Sequence, residues 1–586
     1  MNDSVTREPE GALSGAGASA GPRVRSAREL IRLLAFSTFD NPVLVKELRT
    51  RMRGARAYWL MLGYTLFLAG VLGLMYFTME AEAAQGRGGL GGGVTPEAAR
   101  DLGRTMYLFV FIAQAVMVAL ITPALTSGAI TIEREQRSYE LLSTTPLKPG
   151  DVVRGKLIAS VSFVVLLLTA SLPLVSVSFL VGGVSPAEIA SSYAIVALSA
   201  FVYGAIGLFW SATLATTAVA TVLTYLSVLS FFVLTVVPGS IAASIAMGTG
   251  AGTPEIPFKS LNPLTAAFQA VHPEYLFQTQ LPSWVSGVVM NLLLGLTITT
   301  AAMHRLEHFY PPRALWVRLF ATLTWCAGWI FFLGAINGST AFIGFQGTVA
   351  AALAQVLMVV LTGVAAVAPV FNTGELVVRR GESALGRYFA GWLPHRLFRD
   401  DLSCGLPLLT WWTLAAAGLA LAGLWLSGHS IDASVFSHWL RGVFVIFSVL
   451  LGLVGLGNLL SVVLPSRWAA CVLTYLGAVL SMVLPYFALV PYQGLWSATT
   501  RLEPVLQVLY LSPFEALREI GDPAGFWSGH PVMAFGRAVP FWVVTSVLHL
   551  LGAALFFALT LVLIRRAEQS LGARPAAVGT IAGQEV

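Results

Sequence analysis

The sequence predicts an all-α polytopic membrane protein of about 12 transmembrane helices, arranged as two parallel six-helix repeats. Hydrophobic residues make up 56% of the 586 residues and charged residues only 11%, whereas a soluble domain carries about 25% charged residues. Such a chain has too few polar groups to cover a globular surface, so a soluble protein is excluded. Several stretches of about 20 residues carry almost no charge, which is long enough for a membrane-crossing helix.

The apolar stretches predict the individual spans. We place them at 57–78, 106–128, 157–182, 190–212, 214–237, 284–303, 315–335, 347–370, 406–427, 439–461, 468–490 and 541–564. Most of the 35 Lys and Arg residues then fall on one side of the membrane. The positive-inside rule therefore places both termini in the cytoplasm, and we expect the protein in a bacterial inner membrane.

Four short motifs occur twice in the same order, at a nearly constant offset of about 250 residues. Val222–Leu226 and Val472–Leu476 share the pentapeptide Val-Leu-Thr-Tyr-Leu. The other matched pairs begin at 56 and 313, at 123 and 369, and at 261 and 511. Four collinear matches indicate an internal repeat, and the even number of spans in each copy makes the two copies parallel.

The repeat divides the chain into four segments. We expect a disordered cytoplasmic arm at 1–26, a first six-helix repeat at 27–310, a second at 311–570, and a cytoplasmic tail at 571–586. The arm is rich in Gly, Ala, Ser and charge, which is typical of disorder. The long external loop that contains 261–271 is apolar enough to form interfacial or re-entrant helices.

A short amphipathic helix is predicted at 43–52, directly after a break at Asn41. It carries Lys46, Glu47 and Arg49 and has an apolar side. We expect it to lie on the inner membrane surface with its cations near anionic headgroups. The pattern favours neither a plain anchor nor a docking site for a partner.

A second charged segment follows the second span and is stopped by Pro146. Apolar residues alternate with mixed charge, which indicates either an amphipathic surface helix or a solvated loop. As a helix, it offers a cytoplasmic partner a lever joined to two spans. Its charged residues are Glu133, Arg134, Glu135, Arg137 and Glu140. The corresponding segment of the second copy carries Arg379 and Arg380 instead.

The spans carry few groups with chemistry of their own. Their main polar residues are Gln114, Asn291, Gln355, Asn458 and His549. Carriers driven by ions usually have acidic or basic residues at depth, so we expect energy from a separate chain that hydrolyses ATP. The run that ends in Lys156-Leu157 lacks the Ser or Thr of a phosphate-binding loop, and we expect Lys156 to snorkel at the mouth of the third span.

His304 and His308 flank Glu307 in the pattern of an inverted zinc-protease motif. No third acidic ligand accompanies them, and the second copy has no His at this place. An intramembrane metalloprotease therefore stays an alternative, while we expect no metal, no other cofactor and no nucleic acid partner.

The charged segment resembles the membrane subunits of type-2 ABC exporters. The similarity lies in Glu133-Arg134-Glu135, Leu141-Leu142, Thr145-Pro146, Gly155-Lys156 and the Lys46-Glu47-Leu48-Arg49 run. It implies a permease subunit with six spans per half, in which Glu133, Arg134 and Glu135 contact a cytoplasmic ATP-binding subunit. The second copy has Arg379-Arg380-Gly381 in place of the acidic core, so its coupling role stays open.

The resemblance leaves two arrangements open. Either one chain supplies both halves of the permease, or it pairs with a second permease chain. The alternative from another class is a non-transporting membrane sensor or assembly factor of the same architecture.

Overall fold

The structure, a computed structural model, describes a set of long helices and a few short segments. The described residues are 41–82, 96–137, 149–181, 184–249, 261–263, 265, 275–276, 281–282, 284–306, 314–338, 408, 411–419, 433–464, 473–474, 476–477, 516, 519–520, 532–534 and 537–572. The predicted arm, the tail beyond 572 and the spans at 347–370 lie outside them, as do most of 406–427 and 468–490.

Nine of the described helices lie between Pro42 and Gly338. They are α1 (Pro42–Met52), α2 (Ala55–Glu82), α3 (Pro96–Thr126), α4 (Thr131–Glu135), α5 (Pro149–Val181), α6 (Pro186–Thr213), α7 (Thr217–Thr249), α8 (Trp284–Leu306) and α9 (Ala314–Gly338). Two more described helices follow, α10 (Ala433–Val463) and α11 (Phe541–Gly572). Residues 411–419 are also helical.

Two antiparallel strand pairs accompany the helices. The first pairs β1 (Tyr275–Leu276) with β2 (Leu281–Pro282), in the register Leu276 to Leu281. The second pairs β3 (Val532–Ala534) with β4 (Arg537–Val539), in the register Met533 to Ala538. Each pair comes shortly before a long apolar helix, α8 or α11.

Eight helices of the described part are long and apolar enough to cross a membrane. They are Ala57–Thr78, Gly103–Glu135, Gly150–Phe179, Pro186–Thr213, Trp284–Leu306, Leu315–Leu333, Trp439–Leu460 and Phe541–Leu563. Each coincides with a predicted span, and together they indicate an integral membrane protein. The predicted span at 214–237 falls on α7, whose apolar stretch Thr217–Phe232 is shorter. The count of 12 and the repeat stay predictions.

Helix α6 is the central element of the first part. It begins with a capping box, in which the Ser185 hydroxyl accepts from the Glu188 backbone N–H and the Ser185 N–H donates to the Glu188 carboxylate. This satisfies two backbone donors that the first turn would otherwise leave exposed. Most of α6 is buried because it packs on α3, α5, α7 and α8. Small residues allow this contact: a Cβ on Gly207 would overlap the Thr126 side chain of α3.

The described part of the long loop between α7 and α8 returns to the bundle. Leu261 and Asn262 are fully buried. The Asn262 amide donates to the Thr235 hydroxyl of α7 at 3.1 Å, and the Asn291 amide of α8 donates to the Leu261 carbonyl at 3.2 Å. These bonds satisfy loop polar groups inside the apolar bundle; whether the loop forms interfacial or re-entrant helices stays a prediction.

Candidate functional site where helices α1, α4 and α5 meet

Helix α1 is anchored to the start of α5 through its N-terminal cap. The Asn41 side chain accepts from the Val43 N–H at 2.9 Å, as an N-cap does. The same amide donates to the Asp151 carbonyl of α5 at 2.6 Å. Gly155 permits the close crossing, because a Cβ there would lie 3.0 Å from the Leu44 backbone nitrogen. We call this region of the molecule the α1 end.

A chain of alternating charges joins three helices at the α1 end. The Lys156 ammonium of α5 lies 3.0 Å from Glu47 Oε1 of α1 and 2.7 Å from Glu133 Oε1 of α4. The Arg51 guanidinium lies 3.4 Å from Glu47 Oε2. We call these four residues the ionic cluster. Two cations meet two carboxylates, so the cluster is neutral as a whole.

Lys156 is the centre of the ionic cluster and is only 3% exposed. A buried ammonium is costly unless charged partners surround it, and both carboxylates supply that compensation. The prediction that Lys156 snorkels was wrong for this reason: its partners lie on neighbouring helices rather than in the headgroup region.

The electrostatics of Glu47 follow from the same contacts. Burial raises the pKa of its carboxyl, but the Lys156 ammonium and the Arg51 guanidinium lower the pKa by more. The pKa of Glu47 therefore lies below its ordinary value of 4.5. Glu47 stays ionised at neutral pH and holds α1 against α5.

Residues 127–137, which we call the α4 segment, are attached to α6 and α7 by hydrogen bonds. The Ser211 hydroxyl of α6 accepts from the Ile130 N–H at 2.9 Å and from the Thr131 N–H at 3.1 Å. The Thr217 hydroxyl donates to the Thr131 hydroxyl at 3.0 Å. Arg51 also donates to the Leu125 carbonyl at 3.1 Å, at the end of α3. Together with the Glu133–Lys156 pair, these contacts place the segment against α5, α6 and α7, while Arg51 joins α1 to the end of α3.

The three charges of the Glu-Arg-Glu core all have partners within the chain. Glu133 pairs with Lys156, as described above. The Arg134 guanidinium donates to the Leu214 carbonyl at 3.0 Å, directly after α6. Glu135 accepts from the Thr217 N–H at 2.7 Å, where its negative charge also complements the dipole of α7. The core therefore holds its own segment in place.

The other predicted site residues differ in their placement. Arg137 is exposed and has φ 56°, and Ile132 in the same segment is 45% exposed. Lys46 and Arg49 are exposed on α1, while Glu47 faces inward. Glu140, Arg379 and Arg380 lie outside the described residues.

Sequence reasoning missed the partners that complete the site. Lys156 is 109 residues from Glu47 in the chain, and no periodicity connects positions so far apart. The only signal was the Gly155-Lys156 pair. The resemblance selected this pair but did not indicate that Lys156 forms ion pairs with Glu47 and Glu133. Ser211 gave no signal, and Asn41 marked only the break before α1, because single polar residues near helix ends are common.

A second polar group lies within the bundle, and we call it the neutral cluster. The Gln114 amide of α3 donates to the Ser171 hydroxyl of α5 and, at 3.1 Å, to the Tyr193 hydroxyl of α6. The two hydroxyls lie 2.9 Å apart. This cluster explains the polar Gln114 of the second predicted span as an interhelical contact.

The metalloprotease pattern is only partly described. His304 lies in the last turn of α8, and His308 lies outside the described residues. Among the described residues there is no group of three or more His, Cys, Asp or Glu side chains that could hold a metal ion.

Comparison with known proteins adds no assignment. No family model, no curated protein and no solved structure matches the chain. The geometry of the α1 end is therefore the basis for a functional proposal.

Proposed function

We propose that the chain is the permease subunit of an ABC transporter of the exporter type, driven by a separate ATP-binding subunit. The observation that carries the proposal is the attachment of the α4 segment to α5, α6 and α7 directly, and to α1 through the shared Lys156. A force applied to this short segment acts on all four helices, and α3 runs directly into it. Such a connection suits a membrane protein that a partner moves from outside the bilayer.

The distribution of charge supports an external energy source. In the eight described spans, the Asp, Glu, Lys and Arg side chains lie near the helix ends, and the ionisable His549 within α11 is hydrogen-bonded to the Thr545 carbonyl of its own helix. Transport driven by protons or ions depends on ionisable groups at depth. Alternating access powered by ATP in another chain has no such requirement.

The order of the packed helices supports two similar halves. Helix α6 packs extensively on α8 in the first half, and α10 packs extensively on α11 in the second. Each pair occupies corresponding positions along the chain at the predicted offset. This supports two similar halves within the chain and leaves open whether one chain or two form the pathway.

The test is a mild-detergent purification of the full chain from its native host, followed by identification of copurifying proteins. Because Glu133 is part of the ionic cluster, its charge reversal would disturb the fold. The exposed Arg137 is the better probe, and Arg137→Glu is compared with Arg100→Glu, an exposed arginine near the start of α3.

We expect a stoichiometric protein with a phosphate-binding loop to copurify with the wild type and with Arg100→Glu, but not with Arg137→Glu. A preparation without any ATP-binding partner would overturn the permease proposal in favour of a sensor or assembly factor. Retention of the partner by Arg137→Glu would show that the α4 segment is not the contact.

A further inference from the structure

Helix α1 has two faces with opposite roles. Its inward face carries the buried Val43 and Leu44 together with Glu47 and Arg51, whose charges are used inside the molecule. With about 100° per residue, six other residues share one arc of about 120° on the opposite side. In order around the helix they are Met52, Val45, Arg49, Pro42, Arg53 and Lys46. We call this arc the outer face of α1.

The charge of the outer face is not balanced by the described residues. Lys46, Arg49 and Arg53 are exposed, and none of them makes an ion pair in the part of the chain that the structure describes. The outer face contains no acidic residue. It therefore carries a positive charge of three, which complements an anionic surface.

Apolar residues flank these cations on one side. Val45 is 48% exposed and Met52 is 46% exposed. An apolar strip beside a cationic strip is the pattern of a helix that lies in a membrane interface, with its apolar side in the acyl boundary and its cations at headgroup phosphates.

The chain after α1 places the helix at the depth of a membrane interface. Only Arg53 and Gly54 separate α1 from α2, which begins the first span. Gly54 has φ 148°, a conformation that suits glycine and turns the chain sharply. Tyr58 and Trp59 follow at 63% and 65% exposure, and exposed Tyr and Trp at a helix end are typical of the membrane–water interface.

We propose that the outer face of α1 is a binding surface for anionic phospholipid headgroups, with Lys46, Arg49 and Arg53 as the phosphate-binding residues. This surface does not depend on the proposed permease function. It uses the residues of α1 that the ionic cluster leaves exposed, so lipid binding and the attachment of α1 to α5 occur on opposite sides of one helix. An anionic leaflet would thereby hold α1 from outside while Lys156 holds it from inside.

The experiment compares phosphatidylglycerol with phosphatidylcholine of the same acyl chains, as lipids retained by the purified full chain in native mass spectrometry. Each cation near an anionic surface contributes about a fivefold preference, so Lys46→Gln, Arg49→Gln and Arg53→Gln together should lower the preference roughly a hundredfold. The conservative triple variant Lys46→Arg, Arg49→Lys, Arg53→Lys should keep it. Arg100→Gln, at an exposed arginine near the start of α3, is the control and should leave the preference unchanged.

Three results would overturn the proposal. The neutral triple variant could retain the wild-type preference for phosphatidylglycerol. Inorganic phosphate could compete as well as the lipid, which would indicate a general anion site. The wild type could show no preference while an acidic protein partner depends on these three residues, which would make the surface a protein interface. Circular dichroism of both triple variants separates lost binding from lost folding.

Discussion

The ionic cluster and the neutral cluster join overlapping sets of helices in different ways. Both include α5, where Lys156 and Ser171 are 15 residues apart, which is about 22 Å along a helix. Lys156 has two carboxylate partners near the end of the bundle. Ser171, within the bundle, has neutral partners in the described residues, namely Gln114, Tyr193 and the Leu168 carbonyl of its own helix.

The difference follows from the cost of charge at different depths. Near the end of a span, a charged side chain is partly solvated, and neighbouring elements outside the membrane supply partners of opposite charge. At depth, an unpaired charge is far more costly than an unpaired hydroxyl. The molecule therefore uses ion pairs where it fastens α1 and α4, and neutral hydrogen bonds where it fastens spans to each other. Four experiments test this comparison.

Replacement of Lys156 should have the largest effect. Lys156→Met leaves Glu47 and Glu133 without their shared cation, and the loss of one partner from a buried ion pair costs about 3–5 kcal/mol. We expect a large drop in the thermal unfolding midpoint in mild detergent. Lys46→Met, on the exposed side of α1, should change stability by less than about 0.5 kcal/mol. Equal effects of the two changes would contradict the assigned role of Lys156.

Separation of α1 from α5 should have an intermediate effect without a change in any charge. In Gly155→Ala the added Cβ meets the Leu44 backbone, and overpacking of this kind costs about 1–3 kcal/mol. Gly150→Ala is the matched control, because its nearest neighbour would be the Met303 sulfur at an ordinary 3.7 Å. A neutral Gly155→Ala variant would mean that the close crossing is not needed to hold the ionic cluster.

Disruption of the neutral cluster should cost less than disruption of the ionic cluster. Gln114→Leu removes two hydrogen bonds between spans, and such bonds contribute about 0.6 kcal/mol on average and at most about 1.7 kcal/mol. The exposed Gln136→Leu serves as the control in the same melting assay. A loss as large as that of Lys156→Met would erase the distinction between the two clusters.

The response to acid should be the smallest effect and should belong to the ionic cluster alone. The pKa of Glu47 is lowered in the folded state. The contribution of Glu47 to stability is therefore fully present above pH 4.5 and is lost as the pH falls through the lowered pKa of the folded state. The stability difference between the wild type and Glu47→Gln should therefore shrink below pH 4.5. The cost of Gln114→Leu should stay constant, because no acidic group takes part in the neutral cluster. A parallel decline of both differences would argue against this assignment.

Composition and the length of the apolar stretches predicted much of the fold. Eight predicted spans coincide with apolar helices, and the helix predicted at 43–52 is α1, because each is a property of one continuous stretch of sequence. The boundaries were less accurate. The second membrane-length segment extends to Glu135 instead of 128. The reason is that backbone hydrogen bonds join α3, the turn at 127–130 and α4 without a break.

The candidate site was predicted less completely. The resemblance selected Glu133, Arg134 and Glu135 as residues that contact a partner chain, and that role stays a prediction. Their contacts within the chain involve Lys156, Leu214 and Thr217. Neither charge pattern nor helical period relates these positions, because each contact joins helices whose packing is set by shapes along their whole length.

The sequence by itself determined that this protein is a chain of membrane-length helices with a charged segment after the second. Transfer of apolar residues into a membrane depends on local composition, and composition is read directly from the sequence. Only the tertiary structure decided which charges turn inward and which remain exposed. Glu47 and Lys46 are adjacent in the chain, yet one is bonded to Lys156 and the other is exposed. The reason is physical: a charge is buried only where a distant helix brings its counter-charge within a few ångströms.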